Sequence, residues 1–394
     1  MVGHVHPVAV PPSDETRTAT LLVRAGSVRV PLGFAREDGS IYLIARERSA
    51  RWPVELLRDG RADLLLAEGP VQGAAELVSD RGERDRILGL FRAKYGPERF
   101  SRWYDTPARI LRIRLGPPPS GPSGGRYYDW IGAEFDNVAE DYDRHITGNR
   151  INRLLRDRSL ARLRPLFEGR KRLLEVGCGS GMETLPLLRE GHEIVAFDIS
   201  ERMLRVVEGK ARAEGLGERL TVVQGAARDL TGRLGTETSG RFDGAYSTYG
   251  AMNCESDLRP VRDGLAGVLV PGAPLLLGIY NRWCLTELVG YGMTLQFGRA
   301  FGRSRNPVPV GASRFCVDVF AYSAAEIVRL FRPSFVSERM EGVPALLPPS
   351  DLAPYAERFS RRFATLARWD AGLGVHWPFN HLGDHFLLTL RRRP

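Results

Sequence analysis

The stretch Leu173–Thr184, LLEVGCGSGMET, decides the fold of the second half of this chain. An apolar strand pattern runs into a turn with glycines at 177, 179 and 181, and a helical pattern follows. Many α/β proteins hold a nucleotide in this way, because such a turn brings the backbone and a helix N-terminus close to the ligand. The sequence therefore predicts a nucleotide site at this turn.

Strand and helix patterns alternate on both sides of that turn. Alternation at this spacing predicts a parallel sheet covered by helices, which is a Rossmann-like α/β fold. Two later strand patterns, SFVSERMEGV and HFLLTLRRR, would bring the sheet to seven strands. The five earlier strands are expected at 172–177, 193–198, 220–225, 241–248 and 273–280.

The first part of the chain has a different rhythm. Short strand patterns with turn residues between them, and one amphipathic helix in DRGERDRILGLFRAKYG, predict a small β-barrel. The segment GPPPSGPSGG that follows is too rich in proline and glycine to join a sheet, so it is expected to be a connector. We therefore predict a barrel domain at 1–115, a linker at 116–126 and an α/β domain at 127–394.

The net charge of +9 raises the question of a nucleic-acid partner. The arginines are interleaved with acids, as in REDGSIYLIARERSARWPVELLRD, which is more typical of a solvated mixed surface than of a polyanion-binding face. The chain has no apolar run of about 18 residues, and its four cysteines lack CxxC spacing. We expect a cytoplasmic protein without a nucleic-acid or membrane partner.

The residues around the glycines favour one kind of nucleotide. A dinucleotide fingerprint requires a small residue at the position of Met182. Glu175 precedes the first glycine, where a carboxylate would repel a pyrophosphate but could receive an ammonium group. Asp198 ends the next strand and suits a bidentate hold on two ribose hydroxyls. The pattern therefore favours an amino-acid-bearing nucleoside over NAD or FAD.

At these motifs the chain resembles the class I S-adenosylmethionine-dependent methyltransferases, over about two-thirds of its length. LLEVGCGSG looks like the first motif of that family, and AFDISERML like its second strand and following helix. FDGAYSTYGAMN and LVPGAPLLLGIYN look like its fourth and fifth strands. The resemblance implies S-adenosylmethionine as cofactor, bound by Tyr142, Glu175, Gly177, Cys178, Gly179, Gly181, Asp198, Ile199, Met203, Ala227 and Ser247.

The adenine end of this implied site departs from the family pattern. Many members carry an acid after the glycine that ends the third strand, where this chain has Ala226, with Asp229 three residues on. Ile199 and Met203 match the positions near the adenine. We therefore expect backbone groups near Ala227 to contribute to adenine recognition.

The loop after the fourth strand, Ser247–Asn253, lies where the methyl group should emerge. It reads STYGAMN, without the D/N-P-P-aromatic or Pro-Cys motifs of many nucleobase methyltransferases. Two long segments, 281–313 and 344–383, contain aromatic residues that either cover the acceptor as lids or pack as helix core. The sequence predicts methyl transfer to a small, partly apolar acceptor.

The segment GVHWPFNHLGDHFLL holds three histidines and one aspartate. Their spacing matches no common ligand pattern, so no metal site is predicted. A single histidine acting as base remains a candidate role, and His381 is our choice for it. Tyr249 is the second candidate catalytic residue, since it could orient the acceptor.

Residues 19–115 resemble the split-barrel flavin and deazaflavin oxidoreductases, on DGSIYLIARERSARWPVELLRDGRADLLL and AELVSDRGERDRILGLFRAKYG. The resemblance implies an FMN or deazaflavin phosphate near Arg48, Ser49, Arg51 and Trp52, and a homodimer formed through the barrel. Glu55 stands where the family usually has asparagine. A scaffold without cofactor, a bifunctional enzyme and a non-catalytic S-adenosylmethionine sensor are the alternatives.

Overall fold

The computed structural model describes residues 18–23, 28–45, 52–78, 80–103, 109–116, 124–169, 171–234, 242–305, 307–308, 317–350 and 363–394. The chain divides into two compact units, Met1–Glu134 with Gly311–Val317, and Phe135–Val310 with Asp318–Pro394. Most of GPPPSGPSGG lies outside the described residues. The division falls after it, within a helix that ends at Asp136.

The first unit contains a six-stranded antiparallel barrel in the order β1-β2-β3-β6-β5-β4, closed by pairing of β1 with β4. Closure leaves neither β1 nor β4 with an unpaired edge. The expectation of several short strands in this part of the chain is confirmed. They are β1 (Thr18–Val23), β2 (Val28–Glu37), β3 (Ser40–Ala45), β4 (Arg61–Leu66), β5 (Gly69–Leu77) and β6 (Arg109–Leu115).

Three helices lie between the barrel strands in the part of the chain that the structure describes, and the sequence predicted only α2. They are α1 (Trp52–Asp59), α2 (Arg81–Tyr95) and α3 (Pro97–Trp103). Helix α2 begins where the Asp80 side chain accepts a hydrogen bond from the Glu83 N–H (2.7 Å). Its Phe91 is fully buried, and the Tyr95 hydroxyl bonds the backbone of Phe34 in β2.

The second unit is built on a seven-stranded sheet in the order β12-β13-β11-β10-β7-β8-β9. Strands β7 to β11 are parallel, whereas β13 is antiparallel to both β11 and β12. The predicted α/β fold is confirmed. The strands are β7 (Arg172–Val176), β8 (Glu193–Asp198), β9 (Leu220–Gln224), β10 (Gly244–Ser247), β11 (Pro274–Tyr280), β12 (Phe335–Val343) and β13 (His385–Arg392).

Helices follow the parallel strands in the alternation that the sequence predicted. No helix among the described residues is long and apolar enough to cross a membrane. The helices from α4 onward are α4 (Gly124–Asp136), α5 (Tyr142–Thr147), α6 (Arg150–Leu166), α7 (Thr184–Arg189), α8 (Glu201–Ala213), α9 (Leu230–Leu234), α10 (Arg259–Val268), α11 (Leu285–Met293), α12 (Phe297–Ala300), α13 (Ala324–Phe331) and α14 (Phe363–Leu373).

The sheet of the second unit is buried on both faces. Along β11, Leu275 and Leu277 belong to one apolar cluster and Leu276 to another, because successive side chains of a strand point to opposite faces. Parallel sheets are typically covered on both faces in this way. Since β13 runs against its neighbours, its first residue lies at the edge where β7 to β11 end, and that edge carries the candidate site.

Candidate functional site

The glycine turn predicted from the sequence joins β7 to α7. Gly177, Gly179 and Gly181 all adopt positive φ angles, of 78°, 52° and 85°. This is the region that favours glycine because it has no Cβ. The turn is tied to the next strand by the Gly177 N–H, which donates to the Phe197 carbonyl (2.7 Å).

The three glycines differ in what surrounds them. A Cβ added to Gly177 would lie 2.2 Å from the Cβ of Ala251, and one added to Gly181 would lie 2.3 Å from a methyl of Val207. Gly179 is open: among the described residues, only Tyr142 comes within 4 Å of such a Cβ. The first and third glycines therefore permit close packing, whereas the second leaves space for a ligand.

Asp198 stands at the tip of β8, as predicted, beside this open glycine. Its Oδ2 accepts the Gly179 N–H (2.8 Å) and its Oδ1 accepts the Ser200 N–H (2.9 Å). Burial raises the pKa of Asp198, and these backbone donors oppose the shift. Each carboxylate oxygen has a further lone pair, so the group can accept hydroxyl hydrogens while it holds the turn.

A charged clamp holds α5 against the glycine turn. The Asp143 carboxylate accepts hydrogen bonds from the Ser180 hydroxyl and the Lys210 ammonium, and Lys210 also donates to the Ser180 carbonyl (2.9 Å). This clamp places the neighbouring Tyr142 ring next to Gly179. Tyr142 therefore lies beside the glycine turn that is expected to hold the cofactor. The sequence analysis did not single out Asp143 or Lys210.

Glu175 is fully buried below the turn. Its Oε2 accepts hydrogen bonds from the hydroxyls of Thr184 (2.5 Å) and Tyr246 (2.9 Å). Burial raises the pKa of Glu175 to about 8, and the nearby Glu183 carboxylate adds to the shift. Glu175 thus orders the turn by binding two hydroxyls.

The remaining predicted cofactor residues frame the same edge of the sheet. Ser247 ends β10 and is buried, and its Oγ has no hydrogen-bond partner among the described residues. Met203 is buried near the start of α8, whereas Ile199 and Ala227 are half-buried in the turns after β8 and β9. Asp229 is exposed. The unpartnered Ser247 hydroxyl is the kind of group that a polar ligand would satisfy.

Tyr249 follows β10 with a φ of 60°, an uncommon value for a residue other than glycine. The Arg156 guanidinium lies 4.1 Å from the centroid of its ring, and Arg156 also forms an ion pair with Glu183. Burial raises the pKa of the Tyr249 hydroxyl well above its ordinary value. Strained backbone of this kind persists where surrounding contacts fix it, often at functional sites. The sequence analysis did not single out Arg156, because α6 contains several arginines and no sequence feature distinguishes this one.

The two candidate histidines occupy different surroundings. The His381 Nδ1 lies 2.7 Å from Asn380 Oδ1, and no described contact joins its ring to Tyr249. His385, at the start of β13, stacks on Tyr249 with ring centroids 5.9 Å apart. Its Nδ1 lies 3.1 Å from the carboxylate of Asp384. The structure thus brings His385 to the site, a residue that the sequence analysis noted only as one of three histidines.

The three cysteines among the described residues show no sign of activation. Cys178 and Cys284 are buried, and Cys254 is partly exposed. Burial raises the pKa of Cys284 to about 11 and that of Cys254 to about 12, and raises that of Cys178 as well. A thiol with a raised pKa is a poor nucleophile at neutral pH because little thiolate is present.

Cys284, Glu287 and Asp384 lie close enough together to resemble a metal site. The guanidinium of Arg303 forms ion pairs with both carboxylates of this group. A cation thus already neutralises the cluster, and the carboxylates are held by an arginine.

Side-chain hydrogen bonds hold both predicted insertions in place, and those of the first lie at the sheet edge. Asn281 donates its side-chain amide to the carbonyls of Trp283, His381 and Gly383. In the second insertion, Asp370 accepts three backbone N–H groups at 345–347. Trp377 is 79% exposed, so it is not helix core. Residues 309–316 and 351–362 lie outside the described residues.

Comparisons with known proteins agree with this geometry. Residues 173–272 match the family model described as a methyltransferase domain. Over 154 residues the chain is 28% identical to the tRNA 5-carboxymethoxyuridine methyltransferase of Escherichia coli (strain K12), which covers 37% of this chain and 56% of that protein. Over 152 residues it is 26% identical to the demethylmenaquinone methyltransferase of Porphyromonas gingivalis, which covers 37% of this chain and 59% of that protein.

A solved structure of the 1,6-didemethyltoxoflavin-N1-methyltransferase of Burkholderia thailandensis is 18% identical and covers 72% of this chain and 96% of that one, with a TM-score of 0.44. A likeness of this degree carries no argument about function. The chain spans little more than half the length of the curated relatives it matches. The residues that match the methyltransferase domain lie in the second unit, and the barrel lies outside them.

Proposed function

We propose, from the methyltransferase domain at residues 173–272, that the protein transfers a methyl group from S-adenosylmethionine to a small, partly apolar acceptor. The observation that carries the proposal is the open side of Gly179, which lies between Tyr142 and the Asp198 carboxylate. Only at this glycine does the turn leave room for a ligand. Two groups suited to a nucleoside, a carboxylate and an aromatic ring, border the same space.

The residues present fit the cofactor. Asp198 would hold the ribose hydroxyls, and Tyr142 would cover the bound molecule beside Gly179. The unpartnered Ser247 hydroxyl would gain a hydrogen bond. When bound, S-adenosylmethionine supplies a methyl group on a positively charged sulfur. The protein then has to align an acceptor and exclude water.

The surface chemistry favours a small acceptor over a nucleic acid. Arginines in both units form ion pairs with acids, for example Arg112 with Glu76 and Arg189 with Glu214. Such pairs reduce the positive field that a polyanion requires. The loop after β10 lacks the nucleobase motifs and instead presents Tyr249 between Arg156 and His385.

Methyl transfer to tRNA is the second candidate. The relative from Escherichia coli is named for a modified uridine of tRNA, and this chain carries a net charge of +9. The same cofactor residues would serve either reaction, so only the acceptor separates the two hypotheses.

For the barrel we propose a scaffold that pairs two copies of the chain or docks the acceptor. Trp52 is buried at the start of α1, while Arg48, Ser49 and Arg51 lie outside the described residues. No finding supports a flavin or deazaflavin there, so a reductase activity is not part of the proposal. The visible absorbance spectrum of the purified protein would reveal such a cofactor directly.

The deciding experiment uses cofactor binding and label transfer together. S-adenosylmethionine and S-adenosylhomocysteine should each raise the melting temperature, because a ligand that binds only the native state stabilises it. NADH is the matched control and should not. With methyl-labelled cofactor, label should appear in a pool of small molecules and not in bulk tRNA. A melt shifted by NADH alone would refute the proposed site, and labelled tRNA would select the second candidate.

A further inference from the structure

The histidine at the start of β13 has surroundings that the sequence did not reveal. In the register of the sheet, His385 pairs with Tyr280 of β11 on one side and Val343 of β12 on the other. Both neighbours lie at the edge where the parallel strands end. The imidazole also reaches the loop after β10, because its Nε2 lies 3.9 Å from the position of a Cβ added to Gly250.

The orientation of this imidazole follows from its carboxylate partner. Burial alone would raise the pKa of Asp384, but Arg303 and His385 outweigh it and lower that pKa to about 2. Asp384 is therefore an anion that can only accept, and His385 Nδ1 must carry the hydrogen it donates. The Nε2 of a neutral His385 then holds a lone pair. Among the described residues, no hydrogen-bond partner engages this Nε2.

Arg303 holds the carboxylate in place. Its Nη2 donates to Asp384 Oδ1 (2.6 Å), and its Nη1 donates to the backbone carbonyls of Asp384 and Asn281. The guanidinium lies over the ring of Tyr280 at 4.0 Å and is almost fully buried. Arg303 thus fixes both the carboxylate and the backbone carbonyl of Asp384. Because Asp384 is held in place, the imidazole ring of His385 has little freedom to rotate.

We propose that His385 is the general base of the reaction, that Asp384 and Arg303 are its positioning residues, and that the acceptor group is a hydroxyl. The inference rests on the proposed function and assigns the chemistry of its acceptor. His385 Nε2 takes the hydroxyl proton while the acceptor oxygen bonds to the methyl carbon. The bond from that carbon to sulfur breaks, and its electron pair stays on sulfur. The imidazolium formed remains beside Asp384 until it loses the proton to water.

A hydroxyl acceptor needs this base, whereas an amine does not. A neutral amine attacks through a lone pair it already has and can lose its proton afterwards. A hydroxyl is a weak nucleophile until its proton leaves, and a positioned base contributes about 100-fold or more to such a step. Phenols and an aromatic amine therefore separate the role of a base from a role in general packing.

The first test needs no acceptor. The full chain is labelled with ¹⁵N-histidine, and the His385 signals are assigned by their loss in His385→Gln. Without ligand and with S-adenosylhomocysteine, His385 should show hydrogen on Nδ1 and none on Nε2 when neutral. Asp384→Asn should abolish that preference, and Arg303→Lys should weaken it if Asp384→Asn fails to fold. A neutral His385 with its hydrogen on Nε2 overturns the proposal.

The second test measures transfer to catechol, phenol, naphthol and aniline. Wild type should methylate at least one phenol, and His385→Gln should do so about 100-fold more slowly. Cofactor binding by calorimetry should be unchanged in His385→Gln, which separates this inference from the proposed function. His376→Gln, an exposed histidine, is the matched control, and His381→Gln tests the base expected from the sequence. Equal phenol rates in wild type and His385→Gln, or transfer to aniline alone, would overturn the assignment.

Discussion

At the scale of single residues, buried carboxylates dominate the candidate site. Asp198, Glu175 and Asp384 are all almost fully buried, yet their surroundings treat them differently. Among the described residues, the hydrogen-bond donors to the Glu175 carboxylate are hydroxyls, and another acid lies nearby, which favours the neutral form of Glu175. Asp384 faces Arg303, which favours its anion. The type of a residue and its position in the sequence do not reveal such differences in pKa. The pKa depends on neighbouring side chains that are far apart in the sequence.

Asp198 is expected to bind the cofactor and to hold the glycine turn at the same time. Asp198→Asn keeps the shape of the side chain but replaces one carboxylate oxygen by an amide NH₂ group. This donor would face a backbone N–H that requires an acceptor. Losing hydrogen bonds to a charged group should cost about 1.5–3 kcal/mol of binding, or roughly a 10- to 100-fold higher Kd for S-adenosylhomocysteine. Calorimetry measures this directly. Asp263→Asn, an exposed carboxylate on α10, should bind as wild type does. An unchanged Kd in Asp198→Asn would contradict the site.

Glu175 should make stability depend on pH in a specific direction. Its folded pKa of about 8 exceeds the ordinary value of 4.5, so the native state holds this proton more tightly than the unfolded chain does. As pH rises from about 4.5 to about 8, the wild type therefore loses stability that Glu175→Gln keeps. The difference in unfolding free energy between Glu175→Gln and the wild type should grow in favour of the variant by roughly a few kcal/mol across this pH range. At lower pH the difference should be constant.

Urea unfolding without ligand, at a series of pH values, measures this gap. Glu193→Gln, at an exposed position at the start of β8, is the matched control and should show no such window. A gap for Glu175→Gln that stays level across the whole range would show that the carboxylate is not penalised by burial.

At the scale of elements, the strands and glycine turn could be predicted because each follows from local pattern. Strand β10 is shorter than the expected 241–248, since it begins only at Gly244 and its pairing ends at Ser247, before the turn at Tyr249. Helices α1 and α3 were missed because each has fewer than nine residues, too short for a clear apolar period.

His385 and Asp384 lie beside the site because β13 is antiparallel to β11. This direction brings the start of β13 to the edge where the parallel strands end. A strand pattern alone does not specify direction. The sequence therefore offered several histidines in one segment without a way to choose among them, and we expected His381 on that basis. The signal that could have separated them is that Asp384 immediately precedes the last strand pattern and His385 begins it.

Arg303 fixes the first insertion to the sheet edge. Arg303→Ala would leave the carboxylates of Glu287 and Asp384 buried without their cation, and removing one partner of a buried pair costs about 3–5 kcal/mol. We expect a loss of that order in unfolding free energy, with faster hydrogen exchange in α11 and α12. Arg299→Ala, at an exposed position on α12, should change stability by less than about 0.5 kcal/mol. Equal stability of the two variants would show that Arg303 does not anchor the insertion.

At the scale of the whole molecule, the division between the units lies further along the chain than the sequence predicted. The linker pattern placed the boundary at 116–126, whereas the first compact unit extends to Glu134. Trp130 and Ile131 in α4 are buried, and Glu134 forms a buried ion pair with Arg109 of the barrel. Composition predicted that the linker is a poor strand former, but it could not show which unit the next helix joins.

The units should therefore separate best after Glu134. A fragment of residues 135–394 keeps Asp136, which accepts hydrogen bonds from the Ser200 hydroxyl (2.6 Å) and the Arg202 N–H (3.0 Å) at the start of α8. It should fold and bind S-adenosylhomocysteine with nearly the affinity of the whole chain. Residues 1–134 keep the ion pair of Arg109 with Glu134 and should also unfold cooperatively.

A fragment that begins at Arg126 is the informative comparison. It carries Trp130, Ile131 and Glu134 without Arg109, so the acid loses its buried partner and apolar side chains of the first unit become exposed. Exposed apolar surface promotes association. We expect this fragment to bind S-adenosylhomocysteine as well as residues 135–394 do. It should aggregate more readily than that fragment, as measured by light scattering. If residues 135–394 fold but lose that affinity, the barrel unit completes the methyltransferase site, and the two units act as one enzyme.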